Sequence, residues 1–555
     1  MPKIQGMRNR LSVWYGLAAL MGLLSGGGAS AQQQCATALN FTPVSQANRI
    51  EWSKFPTFSL PFPVIYSGPR LGDTQASPLA HGFAQLGNIT EREAALTTSA
   101  QRAIIYYGVA YGLGQPWEQI ESPWNNNLTA YRANWENWMI GVSGGQKNAA
   151  GQYVLPISRL VLDIERILET DTQILRIKTN SLVPQQYRSL SDAEFLVAYK
   201  RAIRNLYAEA ARYIRQRSDL SNIALSGYAD TPILNNALNI TTFSWADWTT
   251  NLNRVNYLTN DSTNSRPGGP YYEQLTEMAP SGYYYYDYPN PFARDYLPYL
   301  LFQIEVNRAW SSKPIVPFVG LRYHPSSSSY PGFVQPFMAE ATAIFPVFSG
   351  AAGLWLWDDP TLESSRSDVY ASYEYFTHGL YRLSQFSDMF QGSYERVIET
   401  PARDLMEKQL PVWRGIVKGN NILIAAHNSY AAEGQQTSLT VRYKNWQQTI
   451  QLTGREVYLC RFDMSVVTGT EPTIPTVSVF PNPTSTSLTV SFGQLPTNPT
   501  RLTLADVTGR AVGQWPVTNA TQMLNVASLP TGTYVLTIST DGGRQTHKVI
   551  LNRDR

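Results

Sequence analysis

Between about Phe55 and Phe390, short apolar runs alternate with longer segments whose apolar residues recur every three to four positions. The short runs suit buried strands and the longer spacing suits amphipathic helices. Strands are expected at Thr57–Tyr66, Gly82–Gly87, Arg159–Ile164, Asn222–Tyr228, Gly282–Asp287, Ile315–Tyr323 and Gly353–Trp357, with one more around Trp138–Val142. Thr90 and Glu93 form a capping-box pair predicting a helix over Ala94–Tyr107. Ser191 and Glu194 predict another, with Phe195, Tyr199, Ile203, Leu206, Ala210 and Tyr213 on one face and mixed charges on the opposite one. Seven or eight strand–helix units over this length predict a (β/α)₈ barrel across 45–395. A doubly wound open sheet is the alternative, although no Gly-rich dinucleotide turn follows the first strand.

The period then changes. Ile422–Ile424, Leu439–Tyr443 and Val457–Leu459 read as strands with no helices between them, so an accessory β-domain is expected over 400–465. Residues 466–476, rich in Thr and Pro, read as an extended linker. From 477 to 555 short alternating strands are separated by Gly- and Pro-based turns, predicting a small β-sandwich. The expected class is therefore α/β: a TIM-like barrel followed by two small all-β domains. At the other end, Lys3, Arg8 and Arg10 precede an apolar run from Val13 to Leu24 and small residues ending in Ala29-Ser30-Ala31. That is the layout of a secretory signal over 1–31, cleaved near Ala31, and the run is too short to span a bilayer as a stable helix. No transmembrane span is expected in the mature chain.

Composition narrows the function. The net charge is +3 with 15% charged residues and no basic-aromatic interleaving, which argues against a nucleic-acid partner. Cys35 and Cys460 fit no metal or disulfide framework and could either pair or stay apart. With five His, no metal cluster stands out, and no phosphate loop is present, so neither a metal nor a cofactor is expected. The unusual feature is 14 Trp and 33 Tyr. Most such residues fill cores, but both also stack on sugar rings, offering an apolar face with a polar handle.

Chemistry in such a barrel sits where strands end. Arg159–Glu165 places Asp163 and Glu165 at i and i+2, hence on one face of a strand. Two carboxylates so close should repel, raising the pKa of one and keeping a proton near neutral pH, as glycosidic cleavage requires. The structural alternative is that they cap the next helix or pair with Arg159 or Arg166. Other strand ends deliver Tyr228 and Asp230, the run Tyr283–Tyr286 with Asp287, then Arg322, Tyr323 and His324, and finally Trp355, Trp357 and Asp358. Tyr228, Tyr285, Asp287, Arg322, Tyr323, Trp355, Trp357 and Asp358 are the candidate substrate-binding residues. In a conventional retaining mechanism Asp287 or Asp358 would supply a second carboxylate about 5 Å from Glu165.

Two resemblances bear on this picture. Val477–Pro483, Leu502–Arg510, Leu529–Tyr534 and His547–Leu551 follow the motif order of the C-terminal sorting domain of type IX secretion, which this region resembles. This implies export through the periplasm to the medium or the outer-membrane surface, with the secretion machinery as partner. The Asp163-Ile164-Glu165 strand, Arg322-Tyr323 and Gly350–Trp357 resemble the hyaluronidase branch of barrel glycosidases, with chitinase-like enzymes more distant. That resemblance implies a carbohydrate substrate, Glu165 as acid/base and Asp163 orienting an N-acetyl group that attacks the anomeric carbon. Tyr228 or Tyr285 would hold the acetamido group. Position 161 is Val where a chitinase would carry Asp, and Arg166 and Ile167 follow Glu165 where hyaluronidases often show an acidic and an aromatic residue. Two readings stand: a secreted glycoside hydrolase, or a non-catalytic surface protein that binds glycan on a barrel scaffold. A protease is disfavoured, since no Gly-x-Ser-x-Gly or His-Glu-x-x-His is present.

Overall fold

The computed structural model describes residues 33–69, 76–109, 123–125, 128–165, 168–234, 239–260, 266–358, 368–465, 477–492, 500–540 and 543–553. The expected signal segment, the 466–476 linker, Arg166 and Ile167 lie outside them. The chain divides into two compact units, one over 32–465 and the other containing 466–555.

In the larger unit β1 is Gln33–Cys35, and β2 (Val64–Ser67), β3 (Gln85–Gly87), β4 (Arg102–Tyr106), β5 (Arg159–Leu162), β6 (Ala224–Gly227), β7 (Phe318–Val319) and β8 (Leu354–Trp357) form one parallel sheet. Its order is β6-β5-β4-β3-β2-β8-β7. Residues 278–281 close it into a ring, bridging Tyr228 on one side and Ile315 and Phe318 on the other. Their backbone bonds, Ala229 N to Ala279 O and Phe318 N to Pro280 O, are both 2.9 Å. Eight parallel segments thus make a TIM-like barrel. Alternation sorts the side chains. Ile65, Ile105, Val161, Val316, Phe318 and Trp355 fill the interior, whereas Val64, Leu160, Leu162, Leu225 and Leu354 face the surrounding helices.

Three expected elements differ. The Thr90–Glu93 capping box forms, but its helix is only Glu91–Ala94. Arg102 donates to the carbonyls of Ala94 (2.5 Å) and Thr97 (2.6 Å), stopping the turn, and Arg102–Tyr106 becomes β4. The strand expected around Trp138–Val142 lies within the helix Leu128–Ser143, whose Tyr131, Trp135, Met139 and Ser143 are buried at every fourth position. The strand expected over Gly282–Asp287 is displaced: ring pairing occurs at 278–281 and the later residues carry no ladder. The 26-residue helix Asp192–Arg217 forms with its capping box.

Beyond the barrel, β9 (Glu395–Val397), β10 (Val412–Lys418), β11 (Asn421–His427) and β14 (Val457–Asp463) make an antiparallel sheet in the order β1-β14-β11-β10-β9. The strands β12 (Gln436–Tyr443) and β13 (Trp446–Thr453) pair separately. Ile416, Leu423 and Leu459 share one core with the barrel helices, and Cys35 is disulfide-bonded to Cys460 across the β1–β14 pair. The smaller unit has an antiparallel sheet of three strands and another of four around Leu488, Val490, Leu502, Leu536 and Val549.

Candidate active site

The barrel interior is charged at both ends. At the floor, Arg159 forms an ion pair with Glu277, both buried, and Gln85 accepts from the same guanidinium. Two residues on, Val161 is apolar and buried. Two further, at the mouth, comes half-buried Asp163, and Glu165 follows in the turn beyond the strand as an exposed residue. Arg159 is thus committed to Glu277, and among the described residues no cation lies in salt-bridge range of Asp163 or Glu165.

Burial, and after it the charge of Glu165, pushes the Asp163 carboxyl up to about 7. Its Oδ1 is buried without a hydrogen-bond partner among the described residues. Protein crowded around the Glu165 carboxylate raises that group as well, although the residue itself remains exposed. Glu165 holds φ at +47°, a left-handed conformation that costs a non-glycine residue on the order of 1 kcal/mol or more. Such strain persists only where the surroundings fix it, and it concentrates at functional sites.

Three further groups lie in the field of this pair. Tyr228, just after β6, donates to Ser281 Oγ at 3.1 Å and packs on Phe318. Its hydroxyl is raised first by burial, with the Ser281 bond opposing, then by the charges of Glu165 and Asp163. Tyr283 is held well above its usual range by burial, then by Tyr228 and the two carboxylates. Asp230 accepts from Tyr271 at 2.6 Å. Burial drives it up to about 7 against that bond, with Asp163 and Glu165 adding to the rise. A Cβ on Gly227 would stand 2.0 Å from the Tyr271 hydroxyl and 2.3 Å from Asp230, so the Tyr271–Asp230 pair requires glycine there.

The remaining candidates fall into distinct places. Trp357 is half-buried at the mouth, 5.9 Å from the Tyr283 ring. Trp355 is fully buried inside the barrel, stacked 4.8 Å from Phe318 and donating to Ser67 Oγ at 2.8 Å. Arg322 and Asp358 form a buried ion pair at 2.9 Å, with Asp368 on the same guanidinium and the Tyr373 hydroxyl on Asp358. Tyr323, buried on the helix side, donates to Asp287 at 2.7 Å, and Gln335 donates to the same carboxylate. Tyr285 lies 4.7 Å from His324 and lines a separate cavity. Asp163, Glu165, Tyr228 and Trp357 therefore lie toward the mouth. Arg322, Tyr323 and Asp358 line a small cavity there with Tyr283 and Trp357, but Arg322 is paired with Asp358 and Tyr323 is bonded to Asp287, and Trp355 is buried inside the barrel. Asp230 and Tyr283 join the site. The sequence places both at strand ends, but four consecutive tyrosines hide which one points inward. Among the described residues, no group of three or more His, Cys, Asp or Glu is disposed to hold a metal.

Residues 478–552 match the secretion system C-terminal sorting domain. The chain is accordingly exported by type IX secretion to the cell surface or extracellular space. Among the described residues no helix is long and apolar enough to cross a membrane. No curated protein matches the chain. Similar solved structures include bee venom hyaluronidase, 13% identical, covering 59% of this chain and 99% of that one with a TM-score of 0.36. A complex of the same enzyme with a hyaluronic acid tetramer is 15% identical, covering 57% and 95%, with a TM-score of 0.37. A glycoside hydrolase family 30 xylanase from Clostridium acetobutylicum is 12% identical, covering 73% and 99%, with a TM-score of 0.32. The barrel is defined by the chain's own strand pairing.

Proposed function

We propose that this exported barrel is a glycoside hydrolase in which Glu165 is the acid/base and Asp163 its positioning partner. The observation that carries the reading is the contrast along β5 and the turn after it: Arg159 is neutralised at the floor, while Asp163 and Glu165 lie at the mouth with raised affinity for protons. Burial raises both groups, Asp163 up to about 7, so the site can hold a proton near neutral pH. Asp163 lies deeper and Glu165 is exposed, so Glu165 is the group that can deliver the proton to a bound sugar.

The geometry favours substrate assistance over a protein nucleophile. Asp287 and Asp358, the candidate second carboxylates, are engaged with Tyr323 and with Arg322 respectively. In the proposed step Glu165 protonates the glycosidic oxygen as the bond to the anomeric carbon breaks. The acetamido oxygen of the sugar closes on that carbon, and the Asp163 carboxylate accepts a hydrogen bond from the acetamido N–H. Tyr228 and Tyr283 flank this position. Water deprotonated by Glu165 then opens the cyclic intermediate and restores the enzyme, with retention of configuration.

The test is release of reducing ends from a panel of labelled glycans, with and without N-acetyl groups, by the protein and its Glu165→Gln variant. Hydrolysis confined to N-acetylated substrates and lost in the variant is expected. Binding without hydrolysis in both proteins would replace this reading with that of a glycan-binding barrel.

A further inference from the structure

A second cavity of about 540 Å³ lies where the segments after β6 and after residues 278–281 meet the helix Ala402–Lys408. Its volume is that of a small-molecule site. Tyr285, Tyr286 and Phe292 supply aromatic surface, and Thr241, Glu407 and Gln409 supply polar groups. Phe292 is 58% exposed and its ring lies 5.4 Å from that of Tyr286. A large aromatic residue so exposed, paired with a second ring beside carboxylate and amide groups, matches what a sugar presents: apolar C–H faces and a rim of hydroxyls.

The cavity also connects to the site at the mouth. Trp357 is 5.9 Å from Tyr283, Tyr283 is 6.2 Å from His324, and His324 is 4.7 Å from Tyr285, which lines the cavity. These contacts are ordinary aromatic packing, with Tyr283 buried in the barrel interior; they place the cavity beside the mouth, with half-buried His324 and Tyr285 between the two. Two carboxylates, Asp295 and Glu407, and no cation are among the lining residues; Glu407 is paired with Arg403, which also holds Asp404, so Asp295 is the lining carboxylate with no cation in salt-bridge range among the described residues.

We infer that this cavity is a remote saccharide subsite that holds a neutral stretch of a long glycan chain while another part of the chain lies at Glu165. The inference rests on the proposed glycosidase reading and extends it to chain length and charge: the protein engages polymers internally and disfavours uronic acids.

Binding and cleavage are measured separately so that the two claims can fail independently. Calorimetric titration of the Glu165→Gln variant with chitohexaose, chitobiose and hyaluronan hexasaccharide reads the subsite without turnover. Chitohexaose should bind at least tenfold more tightly than chitobiose and than the hyaluronan hexasaccharide. Adding Phe292→Ala or Tyr286→Ala should remove most of the chitohexaose advantage while leaving chitobiose affinity and the melting temperature unchanged. Equal affinity for the long and short chains, or a long-chain advantage untouched by both substitutions, would overturn the subsite. So would preference for the hyaluronan hexasaccharide. Length-dependent binding lost with Phe292, in a wild-type protein that cleaves none of the three, would keep the subsite and sink the hydrolase.

Discussion

The barrel holds two kinds of carboxylate, and the contrast between them locates its chemistry. Glu277 at the floor and Asp358 at the end of β8 are buried against Arg159 and Arg322. At the mouth, Asp163, Glu165 and Asp230 have raised proton affinity, with no cation near the first two among the described residues. Buried charge is costly unless paired. Paired carboxylates therefore account for themselves as structure, and Asp163 and Glu165, with no cation partner among the described residues at an open strand end, call for a ligand.

The contrast breaks most sharply at Glu165. Glu165→Gln should lower kcat by about a thousandfold, as loss of a general acid does, with the melting temperature within a few degrees of the parent. Glycan turnover beside thermal unfolding checks this. Arg322→Met should do the reverse. It strands buried Asp358 at a cost of roughly 3–5 kcal/mol, visible as a lower denaturant midpoint, and any activity loss should track the fraction unfolded.

How far the sequence foretold this contrast differs between fold and site. The barrel was legible because Leu160–Leu162 and Leu354–Trp357 are apolar runs within segments of strand length, and Ser191 with Glu194 marks its helix. Legibility failed where a local signal was real but short. The Thr90 cap starts one turn, and the β-branched pair Ile104-Ile105 within Arg102–Tyr106 is the stronger signal for a strand beyond it. Trp138 to Val142 looked like a strand because apolar density outweighed the fourfold spacing of Tyr131, Trp135 and Met139. At the site, strand parity reaches only to the end of β5 at Leu162; Glu165 lies beyond it with φ at +47°, a turn that the i, i+2 spacing does not reveal. Partners were not legible in the sequence, because the pairing of Arg322 with Asp358, 36 positions later, is tertiary.

The remaining predictions sharpen the comparison with smaller effects. The folded-state pKa of Asp163 lies above its unfolded value, so the native chain binds that proton more tightly, and stability falls as pH rises from about 4 toward about 7. Asp163→Asn removes this share. The variant should gain stability relative to the parent across that window, by up to a few kcal/mol at the upper end, in urea unfolding at several pH values. Equal slopes would mean that Asp163 is already satisfied. Smallest of all, Tyr283→Phe should cost about fivefold in kcat/KM, the worth of one hydrogen bond of about 1 kcal/mol, with little change in melting temperature.

The most direct measurement of this carboxylate cluster is an infrared titration of its protonated carboxyls in the parent, Asp163→Asn and Asp230→Asn proteins. The account predicts a protonated-carboxyl band that persists to about pH 7 in the parent and is diminished in each variant. A band gone by about pH 5, the range of ordinary carboxyls, or one unchanged by Asp163→Asn, would contradict it.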